Sequence, residues 1–196
     1  MIRILAAACV LLTSFASAEI SASKAKEVLN DTNAATLGPV LRAQGLFPET
    51  LTIENREVLV VRQNGNVVML RPRVCNPDCT GLLMYIVMEG AAPASSINAF
   101  NQQTPATVAY TNGQATVLSR YLIADHGITA GTFLVNLDVF SRTVSKWTQT
   151  RNARNAMSVS LLSSAPIDDY DPDTEALVRE ALRRPELLSG RIVSDY

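Results

Sequence analysis

Hydrophobic and polar positions follow several distinct periods along this chain, and each period predicts an element. Over residues 21–44, Ala25, Val28, Leu29, Leu37, Val40 and Leu41 fall at helical spacing. Asn30-Asp31-Thr32-Asn33 and Gly38-Pro39 weaken the middle of that stretch, which leaves one helix or two shorter ones. Gly45-Leu46-Phe47-Pro48 ends it. Residues 51–54 predict a short strand, and residues 58–62 and 67–71 predict two more around Asn64-Gly65, the strongest short hairpin signal. The unbroken apolar run at residues 82–88 predicts a strand at the centre of the sheet.

The second half repeats this grammar. Pro93-Ala94-Ser95-Ser96 opens a short helix over residues 97–103, and residues 107–110 and 115–122 form a second hairpin around Asn112-Gly113. Over residues 130–154, Phe133, Leu137, Phe140, Val144 and Trp147 make one apolar face of a long helix, with Arg151 and Arg154 at its negative end. Such a stripe reads as core. Residues 158–162 are a strand or a linker, and Ser163-Ser164-Ala165-Pro166 breaks the chain. A last helix is expected over residues 174–184, with Asp171 as cap and Pro172 in the first turn. The pattern as a whole predicts an α+β domain, an antiparallel sheet of about five strands with helices packed on it.

At the N-terminus, Arg3 precedes an apolar run over residues 4–12, and small residues follow at Ala16 and Ala18. These are the parts of a secretory signal peptide, with cleavage expected between Ala18 and Glu19; an uncleaved anchor is the alternative. The run is shorter than the about 20 apolar residues of a permanent span. No later stretch approaches that length. The organisation expected is a signal peptide at residues 1–18, a domain at 19–155 and a C-terminal extension at 156–196. The mature chain is then periplasmic or secreted, with no stable membrane span.

Composition sharpens this. A chain of 196 residues, 47% of them hydrophobic, can build a core of ordinary size. The 17 basic residues against 18 acidic ones become 16 against 18 once Arg3 leaves, a net charge of −2. A nucleic-acid binder would be strongly basic, so that partner is not expected.

Export also changes the reading of the cysteines. Cys9 leaves with the leader, and Cys75 and Cys79 remain as a pair around the turn Asn76-Pro77-Asp78. In an oxidising compartment a local disulfide is expected, adding only ~2 kcal/mol because its loop is short. Two other readings compete. A redox dithiol favours Cys-x-x-Cys at a helix start, and a zinc site needs two further ligands in a chain whose one histidine is His126. No metal or other cofactor is expected.

Other candidate chemistry is sparse. Asn98 and Asn101, three apart on the short helix, can hydrogen-bond a ligand or a neighbouring strand, or serve as cap and turn groups. Asp125-His126-Gly127 invites a hydrolytic reading, but no Gly-x-Ser-x-Gly motif accompanies it and the trio suits a turn. The acidic cluster from Asp168 to Asp173 lacks the spacing of a calcium loop and reads as a solvated cap. No glycine-rich phosphate loop is present in the sequence. Arg71 and Arg73 read as solubilising charges on an edge strand.

Four passages together resemble the YbjN domain family, described as candidate bacterial sensory transduction regulators. Gln44-Gly45-Leu46-Phe47 resembles the end of the family's first helix. Residues 75–84 resemble the cysteine pair, threonine and strand of its secreted members. Ile97-Asn98-Ala99-Phe100-Asn101 resembles its short helix, with Phe100 where Trp is more usual. Residues 121–140 resemble its long strand, glycine turn and closing helix, although residues 121–125 keep only part of the usual acidic pattern. The resemblance covers residues 20–155 and implies a fold like that of type III secretion chaperones, with no catalytic residues to carry over.

The expected function is therefore a non-catalytic exported protein that binds a protein or peptide partner, with Asn98, Phe100 and Asn101 as candidate contacts and a homodimer as an analogy. The alternatives are a small hydrolase with a cleft near Asp125 and His126, and a purely structural envelope protein.

Overall fold

A computed structural model describes residues 20–155 and 172–191. The expected cleavage position at Ala18 and Glu19, and the expected element at residues 158–162, lie outside the described residues.

The predicted first helix is two. Helix α1 spans Ala22–Ala25 and α2 spans Ala34–Ala43, with the two-residue strand β1, Val28–Leu29, between them. Asn33 caps α2 by accepting a hydrogen bond from the Thr36 amide at 2.9 Å, so the polar break in the sequence is where a helix starts. Strands β2 (Glu49–Ile53), β3 (Arg56–Gln63), β4 (Asn66–Cys75) and β5 (Cys79–Glu89) follow as a meander. Then come α3 (Ala94–Gln103), β6 (Val108–Thr111), β7 (Ala115–Ile123), the short β8 (Ile128–Thr129) and α4 (Ala130–Asn155). Beyond the undescribed stretch lie α5 (Pro172–Arg183), one 3-10 turn at Pro185–Leu187, and β9 (Leu188–Arg191).

The main sheet has the order β2-β3-β4-β5-β7-β6, antiparallel throughout, with β9 added parallel to β5. A separate ribbon pairs β1 with β8. Seven strands in the main sheet, among the described residues, exceed the about five expected, in part because β9 carries no alternating pattern. The hairpin between β3 and β4 turns at Asn64 and Gly65, both at positive φ (51° and 77°), as a two-residue connection of this kind requires.

The apolar run in β5 is explained by two cores. Leu82, Met84, Ile86 and Met88 face a core built with α2, α3 and the α4 stripe of Phe133, Leu137, Phe140, Val144 and Trp147. Tyr85 and Val87 point the other way, into a second core closed by Leu177, Val178 and Ala181 of α5 and by Leu187. A strand buried on both faces cannot alternate. The extension after residue 171 is thus a layer of the fold.

Strand β9 enters that second layer at a fork. The β4–β5 ladder begins at Met69↔Tyr85, and beyond it β5 turns to β9, with Val87 opposite Leu188. Since β7 holds the other edge of β5 along its length, β9 stands where β4 has departed.

Candidate functional site

The opposite end of the sheet is organised by the Cys75–Cys79 hairpin. The two cysteines sit directly across the β4–β5 ladder and form a disulfide with an S–S distance of 2.01 Å and a Cα separation of 3.9 Å. The hairpin tip is fixed from outside. Asp31 accepts the Cys79 amide at 3.1 Å, and the buried Thr32 hydroxyl donates to the carbonyls of Gly81 (2.7 Å) and Cys79 (3.1 Å). A polar stretch that looks like a helix break is therefore a bracket for a strand nearly fifty residues away. Local capping patterns could have flagged Asp31 and Thr32, but nothing local points to their target.

Register gathers apolar side chains at this end. Gly81 lies opposite both Arg73 and Ile123, and Leu83 opposite Tyr121. The Tyr121 ring lies over Gly81, whose missing side chain makes the room; a Cβ there would stand 2.0 Å from the phenol oxygen. Val74 is 68% exposed, Ile123 64% and Tyr121 47%. Val74 also adopts a left-handed φ of 54°, a conformation a β-branched residue rarely takes.

Beside the hairpin is a groove of about 630 Å³, lined by Asn33, Arg56, Glu57, Arg73, Val74 and the disulfide, with Pro72 in its wall. Its origin is a second fork. The β3–β4 ladder runs from Gln63↔Asn66 to Leu59↔Leu70 and stops, while β3 stays with β2 as far as Arg56 and β4 stays with β5 as far as Cys75. Pro72 has no N–H to donate, which favours the parting. The two hairpin ends diverge and leave the groove between them.

Arg71 corrects an expectation. Strand β4 is interior, and Arg71 is only 3% exposed, near Tyr85. Burial pushes the Tyr85 phenol far above its ordinary value, and the Arg71 charge offsets part of that shift.

The sequence-derived candidates fall elsewhere. Phe100 is buried and packs on Trp147, ring centroids 5.4 Å apart. Asn101 donates to the Ala109 carbonyl at 2.9 Å and accepts from the Ala109 amide at 2.7 Å, acting as a neighbour for the outer strand β6. Both side chains make contacts within the fold: Phe100 in the core, and Asn101 on the neighbouring strand. Asn98 is exposed on the same helix. Asp125 and His126 are exposed in the turn before β8, and neither converges with another polar group among the described residues. Among the described residues no cluster of His, Cys, Asp or Glu could hold a metal, and no helix is long and apolar enough to cross a membrane.

Comparison with known proteins gives the fold. The crystal structure of YbjN from E. coli superposes with a TM-score of 0.52 at 17% identity, covering 65% of this chain and 96% of that one. An uncharacterized protein from Methanothermobacter thermautotrophicus gives a TM-score of 0.49 at 9% identity, covering 64% of this chain and 99% of that one. No family model and no curated protein matches the sequence. The chain has a YbjN-like fold, with α+β architecture and a mainly antiparallel sheet.

Proposed function

We propose that this YbjN-like chain is an exported, non-catalytic protein that binds a protein or peptide partner through the disulfide end of its sheet. The observation that carries the reading is the gathering of exposed Val74, Tyr121 and Ile123 at that end, beside Arg73. Apolar side chains grouped at one end, with charge at the rim, are the usual mark of a protein contact. The Cys75–Cys79 disulfide supports an oxidising compartment, periplasmic or extracellular.

The test is crosslinking in cells of the exported chain, followed by identification of what it captures, with sedimentation of the purified protein for self-association. Capture of a defined envelope protein, weakened by Val74→Asp or Ile123→Asp, is the expected result. A purified chain that captures no partner and stays monomeric at high concentration defeats the reading. Mass spectrometry of the exported protein checks the compartment: an intact Met1 or a free thiol at Cys75 or Cys79 contradicts it.

A further inference from the structure

We propose that the outer edge of β2 is an interface for a second copy of this chain, the two β2 strands pairing antiparallel about a two-fold axis through Leu51. This edge does not depend on the partner contact at the disulfide end. The main sheet has two outer strands, β2 and β6, and only one of them is covered. The Asn101 side chain takes up the outward backbone groups of Ala109 in β6. Among the described residues, β2 hydrogen-bonds to β3 alone. The devices that blunt an open edge are also missing within it. Strand β2 holds no lysine and no proline, and its register runs from Glu49↔Val60 to Ile53↔Arg56 without a bulge.

The turn fixes which backbone groups face outward. Glu54 and Asn55, both at positive φ (49° and 62°), make a two-residue connection, which places a hydrogen-bonded pair at Ile53↔Arg56. Bonded pairs alternate along an antiparallel ladder, so Ile53, Leu51 and Glu49 bond to β3, while the N–H and C=O of Thr50 and Thr52 point away from it. Thr50-Leu51-Thr52 reads the same in both directions. A two-fold axis at Leu51 therefore sets Thr50 of each copy opposite Thr52 of the other, each pair exchanging both backbone bonds. Moving the register by two residues either way brings in Pro48, which has no N–H, or the turn residue Glu54. The side chains agree with this register. Threonine pairs favour direct opposition, and Leu51, only partly buried against the second core, meets its own copy. Glu49, the one charge in β2, faces Ile53 of the other copy, which keeps the two carboxylates at opposite ends. Phe47, at 84% the most exposed large apolar side chain among the described residues, stands just before the strand, where the axis brings the second copy's turn.

The experiment uses the full mature, oxidised chain in sedimentation velocity over a range of concentrations. An interface this short predicts a concentration-dependent equilibrium of monomer and dimer. Thr50→Pro deletes an N–H that faces away from β3. It should leave the thermal midpoint of the dilute monomer unchanged and raise the dimer dissociation constant roughly tenfold or more. If that variant unfolds, charge decides. Thr50→Lys/Thr52→Lys and Thr50→Glu/Thr52→Glu each set like charges directly opposite, so both should be monomeric alone and dimerise when mixed. A wild-type chain that stays monomeric up to about 1 mM overturns the proposal. So does a dimer that tolerates Thr50→Pro, or a pair of charge variants that does not associate on mixing. A photo-crosslinker placed at Thr52 in cells should give an adduct of twice the chain's mass. An adduct with a different protein alone overturns the second copy and gives this edge to a partner's strand.

Discussion

The Ser189 hydroxyl accepts a hydrogen bond from the Val67 amide at 2.8 Å and donates one to the Val67 carbonyl at 3.0 Å, joining positions 122 residues apart. One hydroxyl thus stands in for a lost rung of the β4–β5 ladder. Ser189→Ala removes both bonds and should lower stability by about 1–2 kcal/mol in urea unfolding. An unchanged midpoint would mean that water replaces the hydroxyl at no cost.

Asn101 closes the exposed edge of β6 through the backbone of Ala109. Asn101→Ala should cost about 1–2 kcal/mol and raise the tendency to aggregate, since an uncapped edge recruits other strands. Partner capture should survive once the protein is folded. Loss of capture at undiminished stability would restore Asn101 as a contact residue.

Two glycines at positive φ separate strain from crowding. Gly113 (φ 88°) has nothing within 4 Å of the position a Cβ would take. At Gly127 (φ 78°) a Cβ would meet Val28 at 2.8 Å, Asn30 at 2.9 Å and the Leu29 carbonyl at 3.1 Å. Gly113→Ala should cost about 1 kcal/mol from backbone strain alone. Gly127→Ala should cost at least ~1 kcal/mol more, because it also pushes β1 away from the turn before β8. Equal thermal shifts for the two variants would contradict the crowding.

Tyr85 predicts the alkaline limit of stability. Its phenol is held neutral by burial, with a folded value raised above the ordinary 10.0. The sign follows: the neutral-state preference costs nothing below pH 10 and destabilises the fold as pH rises above it, where the unfolded chain releases the proton freely. Absorbance titration should show one tyrosine ionising only as the protein unfolds. Tyr85→Phe should abolish that component and flatten the loss of stability above pH 10. A Tyr85 that titrates in the folded protein would contradict its burial.

Much of the fold was legible because its causes are local. Asn64-Gly65 sets a hairpin through the φ values of two residues, and the Phe133 to Trp147 stripe defines a helix face by spacing alone. The run in β5 predicted a strand at the centre of the sheet, which its place between β4 and β7 bears out. The candidate site was much less legible. The cysteine pair was visible, but Arg56 and Arg73 are 17 positions apart and meet at one groove only because a ladder ends between them. Asn98, Phe100 and Asn101 stood out as a motif, yet two of the three serve packing and an edge strand, roles that spacing cannot distinguish from recognition.

The sequence by itself determined the two Asn-Gly hairpins, the apolar strand at residues 82–88, the face of the long helix, the α+β class, the turn that closes the disulfide and the turn at Asp125 and His126. Each depends on residues within a few positions of one another, where steric preference and hydrophobic period act directly. Tertiary structure alone decided that Arg71 is buried, that Thr32 anchors Gly81, that the C-terminal helix closes a second core, and that the sheet forks at both ends. Those outcomes depend on which strands compete for the same hydrogen-bonding edge. That competition is settled between segments distant in sequence, by register and by the burial of two faces at once.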